Sequence, residues 1–254
     1  MPGVNDVRHP AARSMTLDRN RVLPGLAFAL LAVVLLVLFW PRGKTYRLAA
    51  RAPATRAAYP VSPPPLSRWR PGLLEVVILD CGQADCIVLR GPDGRVRVID
   101  AGASAAPLLA FLELNRDTEI ATLVMTHPHA DHIGGVPEML RRVPVREVLD
   151  AGAEHPYSGY IETLRLVDEK KIAYRQPRAG ETLDWGRDLR VEVLHPDRTD
   201  YPDINDVSLV LRVTAFDVSL LFTGDAGSDV EEAMLRRDPS RLRARILKVR
   251  HHGS

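Results

Sequence analysis

Cysteine is scarce in this chain of 254 residues, and no internal repeat is visible. The two cysteines, Cys81 and Cys86, allow at most one disulfide, and their place beside a strand-like run favours two buried thiols instead. Hydrophobic residues make up 46% of the sequence and charged residues 26%, which is ordinary for a globular protein. The length is enough for one sizeable domain.

The larger part of the chain lacks an excess of positive charge. The formal net charge is +2; residues 1–40 contribute +2 and residues 41–72 contribute +7, so residues 73–254 carry −7. An acidic body suits a cation site lined by carboxylates. It argues against a broad basic groove for nucleic acid.

Charge is absent from residues 23–40, which read LPGLAFALLAVVLLVLFW. This length is close to the roughly 20 apolar residues that cross a bilayer, so we expect one transmembrane helix there, after a short basic segment at residues 1–22. A cleaved signal peptide is the main alternative. A buried core helix is a weaker one, because such helices rarely lack polar residues over this length.

Acidic residues are absent from residues 41–72, which hold seven prolines, six arginines and one lysine. This composition excludes a folded domain and predicts an extended linker. Its positive charge would let it lie along anionic lipid.

The remaining residues, 73–254, alternate strand-like and helix-like segments. Short β-branched runs separated by turns predict strands, and three stretches with longer apolar periodicity predict helices. We therefore expect a mixed α/β body with helices outside its sheets. The predicted strands are 73–80, 86–90, 96–100, 120–126, 145–152, 189–195, 208–216, 218–225 and 244–250, and the predicted helices are 103–115, 136–142 and 159–171, with a further helix from Ser228.

Residues 126–135, THPHADHIGG, place three of the eight histidines within six positions. His127 and His129 are two apart, so in an extended segment both side chains leave the same side and can bind one ion. Asp131 and His132 diverge from each other, so on a tight turn they could bind a second ion nearby. A solvated, histidine-rich loop is the alternative.

Further polar residues stand where other predicted strands end. Asp100 closes one strand, Asp225 closes another, and His251 and His252 follow the last. Strand ends deliver side chains to sites, and a carboxylate can bridge two cations through its two oxygens. Asp225 could instead cap the helix that begins at Ser228.

Taken together, these motifs resemble the metallo-β-lactamase superfamily. More narrowly, they resemble the C-terminal hydrolase domain of ComEC-type DNA-uptake (competence) proteins. The resemblance covers residues 74–254 and implies an αββα sandwich, two divalent cations (Zn or Mn) and phosphodiester hydrolysis of DNA during uptake. The motifs that carry it are DCGQADC (80–86), VIDAG (98–102), THPHADHIGG, LHP (194–196), NDVSLVLRV (205–213), LLFTGD (220–225) and KVRHHGS (248–254).

The resemblance also implies roles for individual residues. One ion would be held by His127 and His129 with a third ligand, either His195 or Asn205. The other would be held by Asp131, His132 and one of His251 and His252, with Asp225 bridging; Asp131 and Asp225 are the expected catalytic residues. Asp80, Asp85 and Asp100 are candidates to orient imidazoles, although Asp100 could cap a turn, and Arg250, Asn205 and Ser208 are candidates for contact with substrate.

The chain departs from this family at Ala84, Asp206 and Arg250, and it stops at HHGS where the family continues. We therefore expect the domain at 73–254 to be incomplete, as a fragment or a truncated relative. The expected protein is a single-pass membrane hydrolase with its domain on the extracytoplasmic side, acting on DNA beside components of an uptake channel. The alternatives are a hydrolase of small esters or thioesters and a non-catalytic binding module.

Overall fold

The computed structural model describes residues 65–253, with side chains through residue 251. The basic segment predicted at 1–22, the membrane span predicted at 23–40 and most of the linker predicted at 41–72 lie outside this part. Between residues 65 and 253, no helix is both long and apolar enough to cross a bilayer.

Six strands form the first sheet, and strands adjacent in sequence are adjacent in space. The first three run antiparallel and the last four, which share the third strand, run parallel. The third strand is buried throughout, as expected for a strand that is covered on both faces of its sheet. The strands are β1 (Glu75–Ile78), β2 (Cys86–Arg90), β3 (Val96–Ala101), β4 (Ile120–Met125), β5 (Val145–Asp150) and β6 (Ala173–Arg175).

Five strands form the second sheet, in the order β11-β10-β9-β8-β7. All pairs are antiparallel except β10 and β11, which run parallel. A hairpin across Asp217 joins two of these strands, since Ala215 of β9 pairs with Val218 of β10. The strands are β7 (Thr182–Asp184), β8 (Leu189–His195), β9 (Val210–Ala215), β10 (Val218–Phe222) and β11 (Ile246–Lys248).

Five α-helices accompany the sheets in the described residues. The longest, α4, buries Tyr160, Thr163, Leu166 and Val167, a spacing that places them on one face. The helices are α1 (Ala106–Leu114), α2 (Ala130–Ile133), α3 (Val136–Arg142), α4 (Ser158–Glu169) and α5 (Ser228–Arg237), with 3-10 turns at Ile204–Val207, Pro239–Leu242 and Arg250–Gly253.

Three hydrophobic clusters show how these elements are layered. The first joins α1, α3 and α4 to one face of the first sheet, for example Leu108 with Val98. The second joins the two sheets face to face, as Ile99 and Val213 illustrate. The third places α5 against the outer face of the second sheet. The mixed α/β body predicted from the sequence is thus confirmed, with a sheet on each side of the central core.

Most predicted elements are present, but the edge strands β6 and β7 were not predicted. Each has only three residues, and only Leu183 of β7 is fully buried. Such short strands show no clear alternation in sequence, and pairing with a longer neighbour stabilises them.

Candidate metal centre

The second half of the histidine motif forms α2, directly after the loop that leaves β4. Asp131 and His132 lie in this helix, and Gly134 and Gly135 follow. A Cβ on Gly135 would lie 2.5 Å from the carbonyl oxygen of Ala101, at the end of β3. Both glycines have negative φ, so the turn itself does not require glycine here. The close approach to neighbouring backbone is what requires residues without a Cβ.

His132 is held by Asp100, at the end of β3. Nδ1 of His132 lies 2.7 Å from Oδ2 of Asp100, and the same carboxylate accepts hydrogen bonds from the amide and hydroxyl of Thr126 at 2.8 and 2.7 Å. All three residues are buried. Asp100 has a φ of 57°, a strained conformation for a non-glycine residue that these contacts maintain. A carboxylate on Nδ1 leaves Nε2 to face a ligand.

His127 is oriented by the same hydroxyl. Its Nδ1 lies 3.1 Å from Oγ1 of Thr126, whose proton is directed to Asp100, so the Thr126 oxygen accepts from Nδ1–H. Hydrogen bonding therefore assigns the unprotonated position to Nε2 of His127, which lies 3.0 Å from Nδ1 of His129. Burial lowers the pKa of His127 well below its ordinary value, which keeps the ring neutral.

Asp225 reaches the same place from the second sheet, just after β10. Its amide donates to Oγ of Ser208 at 3.1 Å, its Oδ1 accepts from the amide of His251 at 3.1 Å, and its Oδ2 lies 3.2 Å from Nε2 of His132. Asp225 does not cap α5, since that helix begins at Ser228 after Gly227 with no side-chain cap.

A lysine from β11 places a positive charge beside the carboxylates of Asp85 and Asp225. The ammonium of Lys248 contacts the carboxylate of Asp85, lies 3.5 Å from Oδ1 of Asp225 and donates to the carbonyl of Gly224 at 3.1 Å. Asp85 also has an oxygen 3.8 Å from Nδ1 of His132. The side chains of Lys248 and Asp85 are mostly buried, with 11% and 13% exposure, so this ion pair is shielded from solvent.

Electrostatics couple His132 to Asp225. Burial disfavours the charged imidazole, but Asp100 and Asp225 outweigh it and raise the pKa of His132 to about 10. Burial also disfavours the charged form of Asp225, but His132, His127 and Lys248 hold its pKa below the usual range. The pair is therefore an ion pair when no metal ion is bound.

Two groups of three residues bring ligand atoms within 4.8 Å of one another in the described part of the chain: His127, His132 and Asp225, and Asp85, Asp100 and His132. The first group offers two imidazoles and one carboxylate, all buried, a donor set that suits zinc, manganese or iron. In the second group, Nδ1 of His132 is already bonded to Asp100. The first group is therefore the better metal site.

Several predicted ligands lie near this group without belonging to it. His129 is half-buried, with its ring 4.7 Å from that of His127. Asp131 is half-buried in α2, and its carbonyl accepts from the amide of Asp85 at 3.2 Å. The side chain of His251 is exposed, and that of His252 lies outside the described residues.

The two candidates for a third ligand are in neither group. Nε2 of His195 lies 2.7 Å from the carbonyl oxygen of Asp206, which occupies that nitrogen. Oδ1 of Asn205 is buried without a hydrogen-bond partner among the described residues.

The residues predicted to contact substrate lie in different settings. Ser208 is fully buried beneath the site, with Oγ 3.4 Å from Nδ1 of His127. Nε of Arg250 lies 3.6 Å from Glu231 of α5. Substrate contact by Arg250, Asn205 and Ser208 stays a prediction.

Thr126 and Lys248 also belong to the site, although the sequence pattern did not predict them. Thr126 stands at a strand end, as the aspartates do, which is the signal that could have revealed it. Of the remaining candidates, Asp80 is exposed, and both cysteines are free thiols; Cys86 is buried in β2 as expected, whereas Cys81 is only half-buried.

Comparison with known proteins identifies relatives of this arrangement. The profile of the metallo-beta-lactamase superfamily matches residues 79–254. ComE operon protein 3 of Bacillus subtilis is 29% identical over 199 residues, which cover 71% of this chain and 25% of that protein. Hydroxyacylglutathione hydrolase of Salmonella paratyphi B is 35% identical over 102 residues, 38% of this chain and 39% of that protein. The chain thus spans about a quarter to two fifths of the length of these relatives.

Solved structures with a similar fold include a metallo-beta-lactamase from Staphylococcus aureus, with a TM-score of 0.42 and 16% identity, covering 66% of this chain and 51% of that one. CmlA, a diiron beta-hydroxylase from Streptomyces venezuelae, has a TM-score of 0.38 and 20% identity, covering 60% of this chain and 30% of that one. Both scores are below 0.5, so the family assignment rests on the sequence profile.

Proposed function

The chain belongs to the metallo-beta-lactamase superfamily, and from this membership we propose that residues 73–254 form a metal-dependent hydrolase that cleaves phosphodiesters, with DNA as its substrate. The observation that carries the proposal is the convergence of His127, His132 and Asp225, buried and within 4.8 Å at their ligand atoms. These three residues would hold a divalent ion, and His129 and Asp131 beside them would complete a second position.

The surrounding residues prepare these ligands for an ion. Asp100 fixes the tautomer of His132 through Nδ1, and Thr126 does the same for His127. The hydroxyl oxygen of Ser208 accepts from the amide of Asp225, and the amide of His251 donates to its carboxylate, so both hold Asp225 in place. Bound divalent ions supply Lewis acidity and promote the ionisation of water at such a site. In this proposal Asp131 orients the attacking water.

Phosphodiester chemistry is supported by motif and charge. The motifs resemble the hydrolase domain of DNA-uptake proteins, and the basic residues of the body concentrate near its C-terminal end. Residues 236–250 hold six arginines and one lysine against one aspartate, whereas residues 73–235 carry −13. DNA would therefore contact the C-terminal edge, and binding would be weak, independent of base sequence and strongly dependent on salt.

The location of the enzyme is part of the proposal. Residues 23–40 would anchor it in a membrane, with the basic linker at 41–72 lying on lipid or DNA. The domain would face the extracytoplasmic side, beside components of a DNA-uptake channel.

The test uses the 254-residue chain in detergent, loaded with Mn²⁺ or Zn²⁺ and incubated with end-labelled single-stranded and duplex DNA. We expect cleavage that chelator removes and that Asp225→Ala and His132→Ala abolish, while Asp188→Asn, at an exposed position in the turn before β8, retains it. Full metal occupancy with intact DNA across a range of salt would contradict the proposal.

A small-molecule thioesterase is the second candidate, because a relative named hydroxyacylglutathione hydrolase matches 102 residues of the chain at 35% identity. The same metal ligands would serve this reaction. Parallel assays with S-lactoylglutathione and DNA separate the two functions: faster turnover of the thioester, with DNA left intact, favours this candidate.

A further inference from the structure

We propose that His155 contacts the substrate directly and donates Nε2–H to a phosphoryl oxygen of the bound phosphodiester. This residue belongs to neither candidate ligand group, and it lies in the loop between β5 and α4. The proposal rests on the proposed function, because it assigns a substrate contact in the same site.

His155 stands on the side where the metal centre is open to solvent. His127 and His132 are fully buried, whereas His129 is half-buried and so marks the open side. The ring of His155, also half-buried, lies 5.9 Å from that of His129 in an edge-on arrangement. A substrate enters the site from this open side, past His129, and therefore comes within reach of His155.

Hydrogen bonding defines which nitrogen of His155 can act. The amide of Tyr157 donates to Nδ1 of His155 at 3.3 Å, so Nδ1 is the unprotonated nitrogen of the neutral ring. The proton then resides on Nε2, where no acceptor is present among the residues whose side chains the structure describes. A protonated Nε2 cannot bind a metal ion, but it can donate to an anionic oxygen.

The loop that carries His155 is anchored at its base. The carboxylate of Asp150 accepts from the hydroxyls of Tyr160 and Tyr174, at 2.6 and 2.5 Å. Ala151 and Ala153 are buried in the core between the sheets. His155 is thus presented by a fixed stretch of backbone, as a residue that positions substrate should be.

The experiment compares the wild-type chain with His155→Ala and His155→Gln, because the glutamine amide can place an N–H near the position of Nε2. The substrate is bis(p-nitrophenyl) phosphate, a small phosphodiester, and kcat/KM is measured with Mn²⁺ present. Metal content and thermal unfolding are measured on the same samples. The matched control is Glu154→Gln, at the exposed neighbouring position.

We expect His155→Ala to lower kcat/KM by roughly 10- to 100-fold, the usual effect of losing a hydrogen bond to a charged group. Metal content should not change, and His155→Gln should recover most of the loss. Three results would overturn the proposal: unchanged kcat/KM in His155→Ala, loss of metal from it, or equal loss in the alanine and glutamine variants. A metal-loaded wild-type chain that cleaves neither this diester nor DNA refutes the proposed function, and the role of His155 with it.

Discussion

Oδ2 of Asp100 lies 2.7 Å from Nδ1 of His132, although the two residues are 32 positions apart in the sequence. The bond fixes the ring so that Nε2 points to Asp225. A carboxylate in this position also makes the imidazole a stronger ligand. Asp100 should therefore control metal affinity without touching the ion.

Asp100→Asn should weaken metal binding by about 10- to 100-fold, because the amide cannot accept the proton of Nδ1 with the strength of a carboxylate. Competition with a chromophoric chelator measures the affinity. Asp188→Asn is the control, since Asp188 is exposed in the turn before β8. Equal affinity in the two variants would show that Asp100 does not orient His132 for binding.

Lys248→Met should destabilise the metal-free protein more than the metal-loaded protein. Without the ammonium, Asp85 and Asp225 lose their shared buried cation, and the free energy of unfolding should fall by about 3 kcal/mol. A bound divalent ion supplies compensating charge. Thermal unfolding with chelator and with Mn²⁺ measures both losses, and Lys170→Met at an exposed position is the control. Identical losses in the two states would count against this account.

Glu192 should make stability depend on pH, independently of the metal centre. Burial raises its pKa, but the hydrogen bond from Arg241 and the charges of Arg190 and Arg212 outweigh burial and lower the pKa below 4.5. Because its pKa is lower in the folded protein, the charged carboxylate of Glu192 stabilises the fold above pH 4.5. This stabilisation is lost as the pH falls through the folded pKa.

Glu192→Gln should therefore cost about 2 kcal/mol near pH 7, where charged hydrogen bonds are lost. The difference from wild type should shrink as the pH falls below 4.5. Urea unfolding at several pH values, with chelator in every sample, provides the measurement. A difference that stays constant with pH would mean that the charge of Glu192 contributes nothing.

Arg243, Arg245 and Arg250 should supply part of the DNA contact. Replacing all three with alanine should flatten the slope of log affinity against log salt by about 3, one for each phosphate contact. Metal content should be preserved. Fluorescence anisotropy with a labelled duplex checks the slope, and the triple alanine variant of Arg141, Arg142 and Arg146, near α3 and β5, is the control. The same slope in both variants would place DNA elsewhere.

Alkaline carbonate extraction should leave the 254-residue chain in the membrane pellet, because residues 23–40 are uncharged and apolar. A shortened chain that begins at residue 65 should appear in the supernatant. If the cell instead releases a product that starts after Trp40, residues 23–40 act as a signal peptide.

Local pattern was enough to predict most of the fold. β4 is an almost continuous apolar run, IATLVM, so its composition predicts burial on both faces, whereas the burial of Arg97 and Asp100 in β3 is not predicted by composition. α2 was not expected as a helix, because its four residues are too few for a helical period. The helix is followed by Gly134 and Gly135, and Gly135 packs against the end of β3.

The candidate site was predictable in its ligands but not in the contacts among them. The spacing of the histidines and the position of Asp225 at a strand end indicate candidate metal ligands from the sequence. The contact between Lys248 in β11 and Asp85 in the loop before β2 joins positions far apart in sequence, and neither residue stands in a local pattern that indicates the other. The place of His155 likewise depends on how the β5–α4 loop returns to His129.

The metal centre draws its residues from both sheets, and this has a consequence during synthesis on the ribosome. His132 precedes Asp225 by 93 residues, so at ordinary translation rates the two are made roughly 5 to 20 seconds apart. Throughout that interval the nascent chain carries His127 and His132 without Asp225, the carboxylate that completes their group. The three-residue group of His127, His132 and Asp225 therefore assembles only after Asp225 has been made and the second sheet docks on the first.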